Sequence, residues 1–231
     1  MKILLFDLDG TLVRAGGAGR AALNRAVHRL YGKKRVCDDL SLAGRTDLHN
    51  FSRACRLATG RRPTRTEVER LHAEYLRILP YYVRRAVARG TYLPAPGIKN
   101  LLKRLSREKD VMLGLGTGNM EKGAHIKLAP SGLRRYFLFG GYGSDSYHRP
   151  AILKKAVVRA ERAAGKKARR GEVYVIGDTP LDVAAGRKAG FKTAAVGTGF
   201  AAWRDLVRAK PDFLARDFRG TTRWLKWLEI K

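Results

Sequence analysis

The sequence predicts an α/β fold: a doubly wound parallel sheet with a small all-helical unit inserted after the first strand. Three observations carry this. A short continuous apolar run at residues 3–6 opens the chain and reads as a strand buried on both faces. Residues from about 18 to 90 show apolar spacing of the helical kind, with no strand pattern among them. After "LPAPG" at 93–97, short apolar runs alternate with helical segments, which is the signature of βαβ units.

Taken in order, the strand at 3–6 ends in Asp7 and Asp9, and Gly10 and "RAGGAG" at 14–19 follow as loop and hinge. That glycine run lacks the GxGxxG and GxxxxGK[ST] spacings, so it is not read as a phosphate loop. A helix at 18–30 rests on Ala22, Leu23, Ala26, Val27 and Leu30. A second, at 47–59, carries Leu48, Phe51, Ala54, Cys55 and Ala58, with Thr46 as its N-cap and Gly60 as its stop. A third, at 67–89, carries Val68, Leu71, Tyr75, Leu76, Leu79 and Tyr82, and Pro80 is expected to kink or break it.

Beyond the 93–97 boundary come a helix at 98–105, a strand at 111–115 and a helix at 121–128. A strand at 136–139, a helix at 151–164, a strand at 173–176, a helix at 182–189 and a strand at 193–196 complete the alternation. Trp224, Trp227 and Leu228 share one face of a last helix and read as core. The expected organisation is an α/β unit of residues 1–14 and 93–231, with a helical unit of residues 15–92 between its parts.

In such sheets the chemistry gathers at the carboxyl ends of the strands, near the point where strand order reverses. Asp7 and Asp9 lie at one such end and, being two apart, point the same way in extended chain. The strand at 111–115 ends in Gly116-Thr117-Gly118-Asn119, a hydroxyl, an amide and glycine-exposed N–H groups that suit a phosphate. The strand at 173–176 ends in Gly177-Asp178-Thr179-Pro180-Leu181-Asp182. Helix-start chemistry explains one of those aspartates well, not four carboxylates at two strand ends. Clustered carboxylates repel one another. A hard divalent cation such as Mg²⁺, which takes oxygen ligands, resolves the repulsion, and with a phosphate cradle beside it the set points to phosphoryl transfer.

The chain has 231 residues, 45% hydrophobic and 29% charged, enough for one good core and a smaller second one. Against 20 Asp+Glu stand 48 Lys+Arg, a formal charge of +28 that draws anions. The basic residues are scattered in pairs and triplets, among them Lys33-Lys34-Arg35 and the loop Lys166-Lys167-Ala168-Arg169-Arg170. Scatter favours a solvated surface over a dedicated nucleic-acid face. No apolar run approaches the ~18–20 residues of a membrane span, and the four apolar residues after Lys2 fall short of the ~7–15 of a signal core. The expectation is a cytoplasmic protein that does not use a membrane. Cys37 and Cys55 form no CxxC and have no histidine at metal spacing; they read as inert thiols of a reducing compartment.

Asp7-Leu8-Asp9-Gly10-Thr11 resembles the first motif, DxDGT, of the haloacid dehalogenase-like hydrolases. Thr117 resembles their second motif and Gly177-Asp178 with Asp182 the fourth, in the right order. The helical insertion resembles their small C1-type cap, and "GDTPLDVAAGRKAG" and "PGIKNLLKRL" are most similar to the phosphoglycolate phosphatase-like branch. The resemblance spans nearly the whole chain. It implies that Asp7 is a covalent nucleophile and that Asp9 protonates the leaving oxygen and then deprotonates water. It further implies that Asp7, the Asp9 carbonyl and Asp178, supported by Asp182, hold Mg²⁺, and that Thr117 and the amides of Gly118 and Asn119 bind the transferring phosphoryl. Because Asp9 is present, a phosphate ester is favoured over a carbon–halogen bond. The third motif departs from the pattern: where a Lys, often Lys-Pro, is usual, this chain has His148-Arg149-Pro150. Arg149 is the candidate, with Lys154 and Lys155 behind it. Substrate choice is expected from the insertion, where Arg45 in "AGRTD" at 43–47 could grip an anion.

The expected function is therefore Mg²⁺-dependent hydrolysis of a small phosphomonoester, phosphoglycolate-like, through an aspartyl-phosphate. The alternatives are a phosphomutase or phosphotransferase on the same scaffold, and a polyanion- or RNA-binding protein on that scaffold. A small phosphorylated metabolite is the expected partner; the oligomeric state is open.

Overall fold

The computed structural model describes residues 1–169 and 171–230; Arg170, part of the basic loop above, lies outside them. A six-stranded sheet forms the centre, built from β1 (Lys2–Phe6), β4 (Val111–Gly116), β5 (Phe139–Gly141), β6 (Val173–Gly177), β7 (Lys192–Val196) and β8 (Phe213–Ala215), in the order β5-β4-β1-β6-β7-β8. Every neighbouring pair is parallel, with Phe6 in register with Leu115 on one side and Ile176 on the other.

The strands alternate strictly between two cores. Leu4, Phe6, Leu113, Leu115, Tyr174 and Ile176 belong to one face; Ile3, Leu5, Val173 and Val175 to the other. The first face also buries α4 (Ile98–Leu105) and α9 (Thr221–Trp227), where Trp224 stacks on Phe218 and packs against Phe213. The second buries α6 (Arg149–Ala164) and part of α7 (Pro180–Ala189). This period-two burial is what a parallel sheet covered on both faces requires.

Between β1 and β4 the chain leaves the sheet through β2 (Val13–Ala15) and returns through β3 (Tyr92–Pro94), and the two pair antiparallel. Between them lie α1 (Ala18–Tyr31), α2 (Asp47–Thr59) and α3 (Arg65–Ala88), which share a separate core containing Ala26, Phe51, Cys55, Leu71, Tyr75 and Leu79. Thr46 caps α2, accepting from the His49 amide at 3.3 Å, and Gly60 closes it in a left-handed conformation. Thr64 and Glu67 form a capping box at the start of α3.

Two expectations are corrected. Pro80 does not break α3, which runs through it. Ile78, Leu79 and Val83 around it are buried, so tertiary packing outweighs the hydrogen bond that proline removes. The expected strand at 136–139 is a 3₁₀ turn, Leu133–Tyr136, followed by β5 at Phe139–Gly141. The Phe139 ring lies where a Cβ on Gly114 would sit, so the glycines of β4 and β5 are a packing device rather than a strand breaker. β2, β3, α8 (Trp203–Arg208) and β8 carried no sequence expectation, and β2 takes in Arg14 and Ala15, expected as loop.

Candidate active site

The carboxyl ends of β1, β4 and β6 converge. Asp7 continues β1 by one residue, its amide donating to the Ile176 carbonyl at 2.9 Å, which sets its carboxylate beside the end of β6. Asp7, Asp178 and Asp182 are all buried, and one carboxylate oxygen from each lies within 4.8 Å of the others. The four predicted aspartates therefore gather, with Asp9 on the more open side.

Local structure fixes each group. Asp182 closes a capping box on α7: its Oδ2 accepts from the Thr179 amide at 3.0 Å and the Thr179 hydroxyl at 2.6 Å. Its other oxygen accepts from Arg149, which also stands 3.6 Å from Asp7. Arg149 thus lies beside two of the acids, whereas Lys154 and Lys155 are exposed farther along α6. Asp178 is held at both oxygens, Oδ1 by the Thr11 hydroxyl at 3.3 Å and Oδ2 by the Phe200 amide at 2.9 Å. Gly10 (φ 85°) and Gly199 lie so close that a Cβ on either would overlap this carboxylate.

The electrostatics are those of crowded acids under one cation. Burial and then the Asp182 charge push Asp7 up to about 7, against the opposing pull of Arg149 and a Thr117 hydrogen bond. Burial, Asp182 and Asp7 raise Asp178 in the same sense. Burial disfavours the Arg149 charge, but Asp182, Asp7 and Asp178 outweigh it and raise its pKa. Three buried carboxylates face one guanidinium, which leaves negative charge unmatched. The donor set is all oxygen and Asp178 is already oriented by neighbours, so these residues fit a hard divalent cation.

On the β4 side, Thr117 and Asn119 are buried, and the Asn119 amide N–H is engaged by the Thr117 hydroxyl at 3.2 Å. The Asn119 side chain donates to Asp9 Oδ2 at 3.1 Å. The Gly118 carbonyl accepts from the Asp47 amide at 2.8 Å, docking the loop before α2 onto the end of β4. Arg45 lines the cavity over the acids, its exposed guanidinium 3.2 Å from His49.

Lys127, on α5 (Glu121–Leu128), was missed by sequence reasoning. It is buried, and its Nζ donates to Asp9 Oδ2 and Asn119 Oδ1, each at 2.6 Å. Burial opposes its charge, but Asp9, Tyr75 and Asp47 reverse the effect and keep it protonated. The signal was present: Lys127 shares a helix face with buried Ala124 and Leu128. Also missed was "GTGF" at 197–200 after β7, where the Thr198 hydroxyl donates to the Gly10 carbonyl at 2.7 Å and Phe200 secures Asp178. A cavity of about 370 Å³ opens over these groups, lined by Asp7, Asp9, Asn119, Lys127 and Arg149 from the sheet side and by Leu23, Asn50, Phe51 and Tyr75 from the helical insertion.

A family model for haloacid dehalogenase-like hydrolases matches residues 1–190. The chain belongs to the haloacid dehalogenase-like hydrolase family. Solved structures of similar fold include a predicted phosphoglycolate phosphatase from Haemophilus somnus, 19% identical, with 97% of each chain covered and a TM-score of 0.71. A predicted phosphatase from Clostridium acetobutylicum is 16% identical over 97% of this chain and 98% of its own, TM-score 0.71. A candidate β-phosphoglucomutase from Bacteroides vulgatus is 19% identical over 99% and 89%, TM-score 0.68. No curated protein matches the chain significantly. Among the described residues of this haloacid dehalogenase-like hydrolase, no helix is long and apolar enough to cross a membrane.

Proposed function

We propose that this hydrolase is a magnesium-dependent phosphatase of small phosphomonoesters that works through an aspartyl-phosphate on Asp7. The observation that carries the reading is the meeting of Asp7, Asp178 and Asp182 within 4.8 Å, beneath Arg149 and beside the Asp9–Lys127 pair. Residues 15–92 act as the cap that closes over the substrate, and 1–14 with 93–231 as the catalytic unit.

In this reading Asp7, the Asp9 carbonyl and Asp178, supported by Asp182, hold Mg²⁺, whose charge offsets that of the phosphoryl oxygens. Asp7 attacks phosphorus, forming the acyl-phosphate bond as the ester P–O bond breaks. Asp9 gives a proton to the departing oxygen, then takes one from the water that attacks the phosphoryl group and restores the Asp7 carboxylate. Thr117, the Gly118 amide and Arg149 hold the phosphoryl oxygens, while the Asn119 amide donates to the Thr117 hydroxyl. Arg149 does so as a planar fork of donors where a lysine would be a point charge. Lys127 and Asn119 fix the Asp9 carboxylate at one oxygen.

The test is phosphate release from an aryl phosphate with and without Mg²⁺. Wild type should turn over only with the metal, and Asp7→Asn should abolish turnover while the fold survives; activity retained in that variant would falsify the nucleophile assignment. Sugar-phosphate interconversion exceeding phosphate release on the same sample would point instead to a mutase.

A further inference from the structure

The catalytic cavity keeps one large apolar side chain in water. Phe200 lines the cavity, is 61% exposed, and belongs to none of the buried clusters among the described residues. The other large apolar groups lining it, Leu23, Phe51 and Tyr75, are buried. The exposure is not that of a loose loop. The Thr198 hydroxyl donates to the Gly10 carbonyl at 2.7 Å, and the Phe200 amide donates to Asp178 at 2.9 Å. Arg14 donates to the Thr198 carbonyl at 2.6 Å and to the Gly199 carbonyl at 2.8 Å. The backbone at Phe200 is therefore tied to the acid cluster and to β2. Apolar area held in water at the edge of a site favours a ligand that covers it.

The glycine run at 14–19 supplies the rest of this side. Ala15, Gly17, Ala18 and Gly19 line the same cavity. Arg14, just before them, bonds the Thr198 and Gly199 carbonyls, so this strip and Phe200 enter the cavity side by side. The strip carries almost no side chain. Gly17 (φ 78°) is left-handed, and a Cβ there would meet nothing within 4 Å. A Cβ on Gly19 would come to 3.4 Å from Lys127 Nζ, and Arg20 is committed to the Cys37, Asp38 and Leu40 carbonyls. The space beside Phe200 is thus bounded by an aromatic side chain and nearly bare backbone. Such walls offer area rather than hydrogen-bonding side chains, which suits the face of a ring.

We infer that Phe200 is a specificity-determining residue whose side chain packs on the face of a ring in the leaving group, so that cyclic phosphate esters are preferred to open-chain ones. The chemistry it recognises is a flat carbon face, which an aromatic ring or a sugar ring presents. The inference rests on the phosphatase reading for the placement of the phosphate, and names the class of substrate within it. A cavity of about 370 Å³ has room for such a ligand.

The test separates binding from turnover. Asp7→Asn protein in excess Mg²⁺ is titrated calorimetrically with two pairs matched in carbon number, phenyl phosphate against hexyl phosphate and glucose 6-phosphate against sorbitol 6-phosphate. In at least one pair the cyclic ester should bind about tenfold tighter, as packing on an aromatic face allows, and the pair that shows it tells an aromatic ring from a sugar ring. Adding Phe200→Ala should remove most of that preference while leaving the open-chain partner within about twofold. Mg²⁺ affinity should also stay within about twofold, because the backbone amide at position 200 still reaches Asp178. Phe200→Tyr should keep the preference. Phe200→Leu, apolar but not flat, should reduce it and covers the case in which the alanine variant does not fold. Equal affinities within both pairs, or tighter binding of the chains, would mean that no ring is seated there. A Phe200→Ala loss shared by both members of a pair and by Mg²⁺ would mean that the side chain only props its loop; either result overturns the inference. Wild-type turnover of phenyl phosphate is measured alongside. Its absence with the preference intact would sink the phosphatase reading alone, and its presence without the preference would sink the Phe200 assignment alone.

Discussion

Replacing Asp7 with Asn should stabilise the metal-free protein at high pH even as it destroys turnover. The Asp7 carboxyl is pushed from its ordinary 3.8 up to about 7 by burial and by the Asp182 charge. Between those two values the folded protein holds a proton that the unfolded chain has released. That contribution to stability is complete below the unfolded value and is lost as pH rises through the folded one. At about 1.36 kcal/mol per pH unit, the window corresponds to roughly 4 kcal/mol. Asn has no proton to lose. The stability of the variant relative to wild type should therefore rise by roughly 3 kcal/mol between about pH 4.5 and about pH 8. Relief of Asp178, which Asp7 also pushes upward, acts in the same direction. The assay is urea unfolding of both proteins in a chelator across that range, with stability from linear extrapolation. Adding Mg²⁺ at the high end should then stabilise wild type, by about 2.7 kcal/mol at a hundredfold excess over its dissociation constant, and the variant far less. A stability difference that is flat with pH, or a variant weaker than wild type at about pH 8, would refute the electrostatic reasoning.

Three further outcomes follow from the geometry. Lys127→Met leaves the Asp9 carboxylate and the Asn119 carbonyl oxygen without their 2.6 Å donor; it should lower kcat about tenfold or more and stability by ~2–3 kcal/mol, read by steady-state kinetics and urea unfolding. Gly199→Ala places a methyl against the Asp178 carboxylate, so calorimetric titration should find Mg²⁺ affinity ~10–100-fold weaker. Thr64→Ala removes half of the capping box on α3, and Thr64 is not among the residues lining the cavity; it should cost about 1 kcal/mol in unfolding and leave kcat unchanged.

What the sequence made legible was what strand ends and helix caps announce locally. Carboxylates directly after apolar runs placed Asp7 and Asp178 because a parallel sheet delivers its strand ends to one edge. Thr46 and Gly60 bounded α2 because caps act within a turn. What stayed hidden depended on partners distant in the chain. Pro80 is tolerated because the insertion core holds α3 on both sides of it. β5 was displaced by three residues because its glycines carry no strand signal until Phe139 is seen against Gly114. Lys127 was passed over because Asp9, its partner, is 118 residues away. Arg45 lies in the expected loop and lines the cavity, exposed and beside His49.

The most direct test of Asp7 as the phosphoryl acceptor is to catch the acyl-phosphate. Wild-type protein mixed with an aryl phosphate and Mg²⁺ is quenched in acid within the first turnover and its peptides are weighed. The peptide containing Asp7 should gain the mass of one phosphoryl group, and the Asp7→Asn protein should gain none. Turnover with no labelled peptide, or a label on any other residue, would contradict the mechanism.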